Sequence, residues 1–530
     1  MTNPRAFPPG GMNHPSDAYH PMIDCGQEGF FMALQTQVQT FEAEKLIGAR
    51  RAQVLVRAEA LVPGAGRDAI EPLLADAGLF VGEVDVQADR VVLEGSVACQ
   101  AVYRQGEESA LRALTAQAAL NHVLDMPGVQ PGMLCRARGE VNHVDARYEN
   151  GHMVFQVTCD LNVQVLSLSP VEVISAVEGA QGLQTVFTPI RSVKLAAEAS
   201  ELALLKDTVT LPAALDARTA LMDWAAVEIE DVSADLGGVR VKGRAMVETL
   251  VASGVAGRPG VVVRYPLALD QLVELPEWLT GDVSAEVDVR SIRSRVDASE
   301  GDGDMLLTCE IEARVRVLAN ATDEVEALAD IYATQGMSVD AEDEDVGFCR
   351  AVDRAKVCEL VRGTVLIGEN APGVGTVIAT RVHPSIGEWR NENGQGRIEG
   401  VAETRVLYMP GGSELPASAE AELPFSLTVP QALNDESMIE MQVLSAEANA
   451  LMSDRLEMKL QLSVSCETRQ RAEVEIVTEI TEGAPVQRRP GIVVSWPLPG
   501  ETAWDIGKRY GIPAGSVGEV KAGKAVVLKV

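Results

Sequence analysis

Aromatic residues are scarce in this chain of 530 residues, at only 4%. Its cores must therefore be filled by aliphatic and β-branched side chains, and a base-stacking surface for single-stranded nucleic acid has few residues to build it. Positive charge is also short. With 45 Lys+Arg against 77 Asp+Glu the net charge is −32, which repels a phosphate backbone, so nucleic acid is not an expected partner.

Paired cysteines are missing too. Cys25, Cys99, Cys135, Cys159, Cys309, Cys349, Cys358 and Cys466 are scattered with no CxxC among them, so no structural zinc site is expected, and buried free thiols in a reducing compartment fit best. The six histidines are too dispersed for a triad or a two-His metal face. His14 and His20 lie near Asp17, Asp24 and Cys25, but that Pro-rich stretch reads as a chance cluster. There is no GxSxG elbow and no GxxxxGK[ST] phosphate loop, and GQGRIEG at Gly394 runs into a strand where a dinucleotide site needs a helix. EGDGD, Glu300 to Asp304, lacks the spacing of a calcium loop and reads as a hairpin turn. No catalytic residue, metal or cofactor is therefore expected, and the chain reads as non-enzymatic. It also lacks an 18-residue apolar run and an apolar N-terminal stretch, which predicts a cytoplasmic protein with no transmembrane segment and a disordered lead over 1–40.

What the chain does have is repetition. Residues that are 46% hydrophobic and 23% charged can build several cores, and three stretches align on one glycine. They are VVLEGSVACQAVY from Val91 to Tyr103, VRVKGRAMVETLV from Val239 to Val251, and GRIEGVAETRVLY from Gly396 to Tyr408. The anchors Gly95, Gly243 and Gly400 are 148 and 157 residues apart. Each stretch alternates, with one face apolar (Leu93, Val97, Cys99 and their counterparts) and the other polar (Glu94, Ser96, Gln100 and theirs), as a strand with one face on a core and one in water would. A glycine weakens a strand, so its recurrence in one register predicts a bulge or a close backbone approach. Apolar stretches ending at Pro127, Pro276 and Pro430 follow, and then a further alternating run around Cys159, Cys309 and Leu460. We read three β-sandwich-like repeats over 41–190, 191–335 and 336–485, the third set off by a solvated linker or turn at Asp340 to Asp345.

The tail differs. From Ile492 the residues IVVSWPLPGETAWDIGKRYGIPAGSVGEVKAGKAVVLKV predict a short strand, a turn at Pro499–Gly500, a helix capped by Thr502 and ended by Gly511, a further turn and a closing strand, a β-α-α-β module over 490–530. Trp504, Ile506 and Tyr510 are its predicted core. It carries five Lys+Arg against three acids, a local +2, so the acidity belongs to the body.

The stretch PGETAWDIGKRYGIP resembles the opening of a LysM domain. That resemblance implies binding of peptidoglycan or another N-acetylglucosamine polymer through Gly500, Glu501, Thr502 and Ala503 and through Val520, Lys521 and Ala522. Ala503 stands where the family has leucine, the usual asparagine after the second helix is absent, and the segment from Val517 to Ala525 is short. Three β repeats closed by a LysM resemble the SPOCS-domain spore morphogenetic proteins of endospore formers over residues 41 to 530. The implied role is a non-enzymatic adapter, in the mother cell at the forespore surface, whose LysM engages the morphogenetic ATPase of the coat basement layer. The alternative is a LysM-mediated binder of peptidoglycan or spore cortex.

Overall fold

The computed structural model describes residues 34–64, 69–179, 182–279, 281–298, 304–368, 371–486, 491–521 and 523–530. It is mainly β. Three units of six strands share one topology. Unit 1 comprises β1 (Gln35–Leu61), β2 (Ile70–Gln87), β3 (Arg90–Gln105), β4 (Arg112–Asp125), β5 (Leu134–Glu149) and β6 (His152–Glu178). Unit 2 comprises β7 (Leu183–Leu211), β8 (Ala217–Asp235), β9 (Gly238–Ser253), β10 (Gly260–Glu274), β11 (Asp282–Ala298) and β12 (Met305–Ala333). Unit 3 comprises β13 (Met337–Leu366), β14 (Val374–Glu392), β15 (Gln395–Pro410), β16 (Ala417–Val429), β17 (Met438–Met452) and β18 (Arg455–Pro485). In each, the second to fourth strands form an antiparallel meander and the last strand pairs between the first and the fifth. Unit 1's core is shared by both its sheets, from Leu93 and Val97 on β3 to Phe155 and Val163 on β6.

The repeated glycines have a physical cause. Gly95, Gly243 and Gly400 lie on the central meander strands, opposite register shifts at Val81/Glu83, Ile229/Asp231 and Ile386/Glu388. A Cβ at each would run into one carbonyl oxygen, that of Phe80, Glu228 or Ser385. A bulge and a close backbone approach therefore coincide. Pro127, Pro276 and Pro430 follow the ends of β4, β10 and β16, edge strands of the meanders, where a residue without an N–H costs no ladder bond.

The first and last strands of each unit run well past the sandwich as two-stranded ribbons. Residues 167–178 of β6 pair with β1 but lie beyond the end of β5. Several boundaries move as a result. β1 opens at Gln35, inside the stretch read as a lead; residues 1–33, with the His14–Cys25 cluster, lie outside the described residues. Unit 2 opens at Leu183. The acidic run Asp340–Asp345, read as a linker or turn, belongs to β13 and pairs with residues 475–481 of β18. A ribbon leaves most of its side chains in water, which is why strand backbone tolerates those acids here. The hairpin turn read at Glu300–Asp304 falls between β11 and β12, and only Asp304 of it is described.

The units pack against one another at equivalent positions. Val102, Leu250 and Leu407, each on the strand face read as meeting water, lie in one buried cluster with their cross-strand partners Leu74, Met222 and Ala379. Three like positions meeting at one place describe an approximately threefold arrangement. A second cluster joins the ribbons through Phe41, Ile190, Val346, Val173, Ala327 and Ile476. Apolar surface on the nominal outer faces is thus removed from water, which fuses the units into one body.

Between unit cores and ribbon cluster lies a buried ionic layer. The Glu44 carboxylate, fully buried in unit 1, accepts from Arg469 Nη1 of unit 3 at 2.7 Å and from the Leu195 N–H of unit 2 at 2.8 Å. Arg469 also reaches Asn320 Oδ1 at 3.4 Å, and Arg471 reaches Glu44 Oε1 at 3.2 Å. Nearby, Arg136 of unit 1 pairs with Glu467, and Arg138 pairs with Glu286 and with Glu440, the last at 2.6 Å. Burial pushes the Glu286 carboxyl up, but Arg138, Arg316 and Arg136 outweigh it and hold it down at about 2.

Glu140 is the opposite case. Burial, then the facing Glu440 carboxylate, push it up to about 7, against the Met441 N–H and Arg138, while Asp160 across the strand pair adds repulsion. A carboxyl with a raised folded value is protonated in the fold before it is in the unfolded chain, so stability falls as pH rises from about 4.5 towards 7 and is flat above. Because Glu140 is partly exposed, we expect a loss of about 1–2 kcal/mol across that window. Glu140→Gln should remove this component, so its denaturation midpoint should exceed the parent's at pH 8 and match it near pH 4.5.

Of the cysteines, the seven described are all unpaired, and five of them are buried. Burial pushes the Cys99, Cys135 and Cys466 thiols up to about 12, which suits packing rather than nucleophilic or metal-binding roles.

Candidate partner-binding site

The last residues fold as β19 (Ile492–Ser495), α1 (Ala503–Tyr510), a 3₁₀ turn at Ala514–Ser516 and β20 (Val526–Lys529), with the two strands antiparallel. Thr502 caps α1. Its Oγ1 accepts from the Asp505 N–H at 3.3 Å and the Asp505 carboxylate accepts from the Thr502 N–H at 2.7 Å, a reciprocal capping box that holds the Asp505 carboxyl below its usual range. Gly511 ends the helix at φ 62°. The expected second α-helix is not there. Pro513, Gly515 and Gly518 fall within six residues, Gly518 takes φ 80°, and only a single 3₁₀ turn forms.

The predicted loop residues divide. Gly500 is exposed at φ 87°, a conformation that needs glycine at this turn. Glu501 is turned inward, accepting from the Leu498 N–H at 2.9 Å and pairing with Arg509. Thr502 is spent on the cap. Ala503 and Val520 pack on the module's core, and Lys521 is exposed and pairs with Glu519 at 2.7 Å. Ala522 lies outside the described residues.

The core holds Ile506, Ile512, Val517, Val526 and Leu528, with Tyr510 packed at its side. Trp504 is elsewhere. Its ring meets Tyr332 of β12 edge-on with centroids 4.8 Å apart, and its Nε1–H donates to Asp330 Oδ2 at 2.6 Å. Lys508 Nζ reaches Asp330 Oδ1 at 2.5 Å, and the Tyr332 hydroxyl donates to the Ile512 carbonyl at 3.0 Å. A Cβ on Gly507 would collide with that hydroxyl region, so the helix approaches β12 closely only because glycine stands there. Sequence reasoning missed Asp330 and Tyr332 altogether, since nothing in β12 marks them as partners of a helix 174 residues away.

The two kinds of contact separate by mutation. Ile506→Ala should unfold the small module, at a cost of about 2–5 kcal/mol for a fully buried isoleucine. Trp504→Ala should leave it folded and release it from β12, read as faster proteolytic excision of the tail with unchanged cooperative melting of the body.

A groove of about 1580 Å³ runs between units 1 and 2, past Lys45, Trp278 and Lys194. Lys194 is already engaged by Glu42 and Asp323, each at 2.8 Å. Among the described residues no three His, Cys, Asp or Glu side chains converge as a metal site would need, and no helix is long and apolar enough to cross a membrane.

Residues 71–149, which run from β2 through β5 of unit 1, match the family model described as SipL, SPOCS domain. That match points to a role related to sporulation. No curated protein and no solved structure matches the chain. The strands equivalent to the matched segment recur as β8–β11 in unit 2 and β14–β17 in unit 3.

Proposed function

We propose that this chain is a non-enzymatic structural adapter in endospore coat morphogenesis, which attaches the coat at the forespore surface through protein contacts of its terminal LysM-like module and its three SPOCS-like units. The observation that carries the reading is the SPOCS match to 71–149, taken with the recurrence of that strand set twice more in one fused body. The state of the tail supports a protein ligand over a glycan. Of the loop residues a glycan would need, Glu501 is bound to Arg509, Thr502 is occupied by the cap, and Ala503 and Val520 serve the core. A morphogenetic ATPase of the basement layer is the partner class we propose, in the mother-cell cytoplasm.

The full chain should be tested against purified peptidoglycan and against lysate from sporulating cells. Retention of a protein from the lysate with no sedimentation on peptidoglycan is expected. Sedimentation with peptidoglycan and no retained protein would replace the adapter reading by cortex or cell-wall binding.

A further inference from the structure

The groove between units 1 and 2 holds about 1580 Å³, above the ~300–1,000 Å³ usual for small-molecule sites, so it has room for a length of chain. Its two walls differ. Unit 1 brings Ile47, Met133, Leu134, Leu166 and Leu168, whereas unit 2 brings Trp278 with Glu198, Glu274 and Asp282. Leu134 and Leu166 share an apolar cluster with Leu195 and Leu318 of unit 2, so the packing of the units holds the groove open without an occupant.

Two of its residues are left wanting a partner. Trp278 is 73% exposed, in a chain where aromatics are scarce. The 3₁₀ turn Glu277–Leu279 that carries it is pinned by Leu275 and Leu279, both buried in the unit 2 core, so the indole is held out by an anchored turn. A tryptophan placed this way beside apolar side chains is the kind of residue that dominates protein interfaces. Asn320, which also lines the groove, is 4% exposed. Its Oδ1 accepts from Arg469, but its Nδ2 has no hydrogen-bond partner among the described residues. An unmet buried N–H is costly, and a backbone carbonyl of an occupant would meet it.

Charge defines the occupant. Glu42 and Asp323 are spent on Lys194, and Asp282 pairs with Arg354 at 2.9 Å. Glu198 and Glu274 remain on the unit 2 wall. Burial pushes the Glu198 carboxyl up and Arg316, 3.5 Å away, offsets this only in part, while Glu274 is exposed and makes no ion pair among the described residues. Lys45, on the other wall, is the one further cation among the described lining residues. A partly buried carboxyl, a free carboxylate and an exposed indole face all favour a cation, and a body of net −32 draws cationic segments from a distance.

We infer that this groove takes an extended protein segment that alternates aliphatic and basic residues. An extended chain sends successive side chains to opposite sides, so its aliphatic residues would lie on the unit 1 wall at Leu134 and Leu166 while its Arg or Lys side chains meet Glu198, Glu274 and Trp278 on the unit 2 wall. A second copy of this chain is a poorer occupant, because bringing together two bodies of net −32 opposes association. The inference rests on the adapter reading only in taking the occupant to be a protein.

The test uses the full chain and fluorescent ten-residue peptides, read by anisotropy at physiological salt. A peptide alternating Leu with Arg should bind, one alternating Leu with Glu should not, and one alternating Ser with Arg, equal in charge to the first, should bind at least about tenfold more weakly. Trp278→Ala, at a position too exposed to unfold the unit, should weaken the Leu–Arg peptide by about tenfold, and Glu274→Gln several-fold. Trp496→Ala, at an exposed tryptophan outside the groove, should change nothing. Equal binding of the two Arg peptides would overturn the inference by assigning the attraction to the acidic body as a whole, and so would unchanged binding in both groove variants. Sedimentation showing a dimer that Trp278→Ala dissolves would overturn it in favour of a second copy, and peptidoglycan fragments that bind the parent but not Trp278→Ala would overturn it in favour of a glycan. A Trp278→Ala, Glu274→Gln chain that retains its lysate partner undiminished would sink this groove and leave the adapter reading standing, whereas a parent chain that retains no protein would sink the reading itself.

Discussion

Arg469→Met is expected to destabilise the folded chain by about 3–5 kcal/mol, the range for removing one partner of a buried ion pair. Arg469 is 1% exposed and Glu44 0%, so the carboxylate left behind cannot turn to water. It would keep the Leu195 N–H and the Arg471 guanidinium, neither of which replaces the 2.7 Å contact. Because Glu44, Leu195 and Arg469 come from units 1, 2 and 3, the loss falls on the junction of the units rather than on one core. Unfolding followed by denaturant should therefore shift to a lower midpoint for all three units together. Pairing the change with Glu44→Gln removes the stranded charge while keeping an acceptor for Leu195, and should recover a large part of the loss. A double variant no more stable than Arg469→Met would show that the cost lies in packing of the arginine stem instead.

The second large effect is predicted at the glycine anchors. Gly243→Ala places a methyl group against the Glu228 carbonyl across a bulge, where the obstacle is backbone and cannot rotate aside. Overpacking of this kind costs about 3 kcal/mol. Gly95→Ala and Gly400→Ala meet the Phe80 and Ser385 carbonyls in the same way and should behave alike. Gly78 provides the control, since it lies within β2 with nothing near the position of an added Cβ. Gly78→Ala should be neutral or slightly stabilising in thermal melts. Equal effects at Gly78 and Gly243 would mean that the repeat preserves these glycines for chain flexibility and not for space.

Periodicity carried much of the fold. The alternation around Gly95, Gly243 and Gly400 located the central strand of each meander and its buried face, because a half-buried strand writes its environment into every second residue. The same rule misread Val102, Leu250 and Leu407. They stand on the polar faces of those strands, and only the packing of one unit on the next, which no local pattern encodes, removes them from water. Glu44 and Arg469 were silent for the same reason: 425 residues apart, each reads alone as an ordinary charged surface position. In the tail, cap chemistry fixed α1 through Thr502, Asp505 and Gly511. Trp504 was legible as a large apolar residue on that helix but not as an anchor, since a helix carrying apolar residues on two sides does not say which side meets its own sheet. Ile492, Val494 and Val527 alternate as strand residues should, and their exposure follows from the sheet's having, among the described residues, two strands and one helix that covers one face.

The division of labour between a fused body and its terminal module is tested most directly by comparing the full chain with one ending at Pro485, for cooperative melting and for retention of a partner from sporulating-cell lysate. The shortened chain should melt as one cooperative body, because the ionic layer and the inter-unit clusters lie upstream of residue 486, and should retain markedly less of that protein. Undiminished retention by the shortened chain would contradict the account by placing the contact on the three units alone.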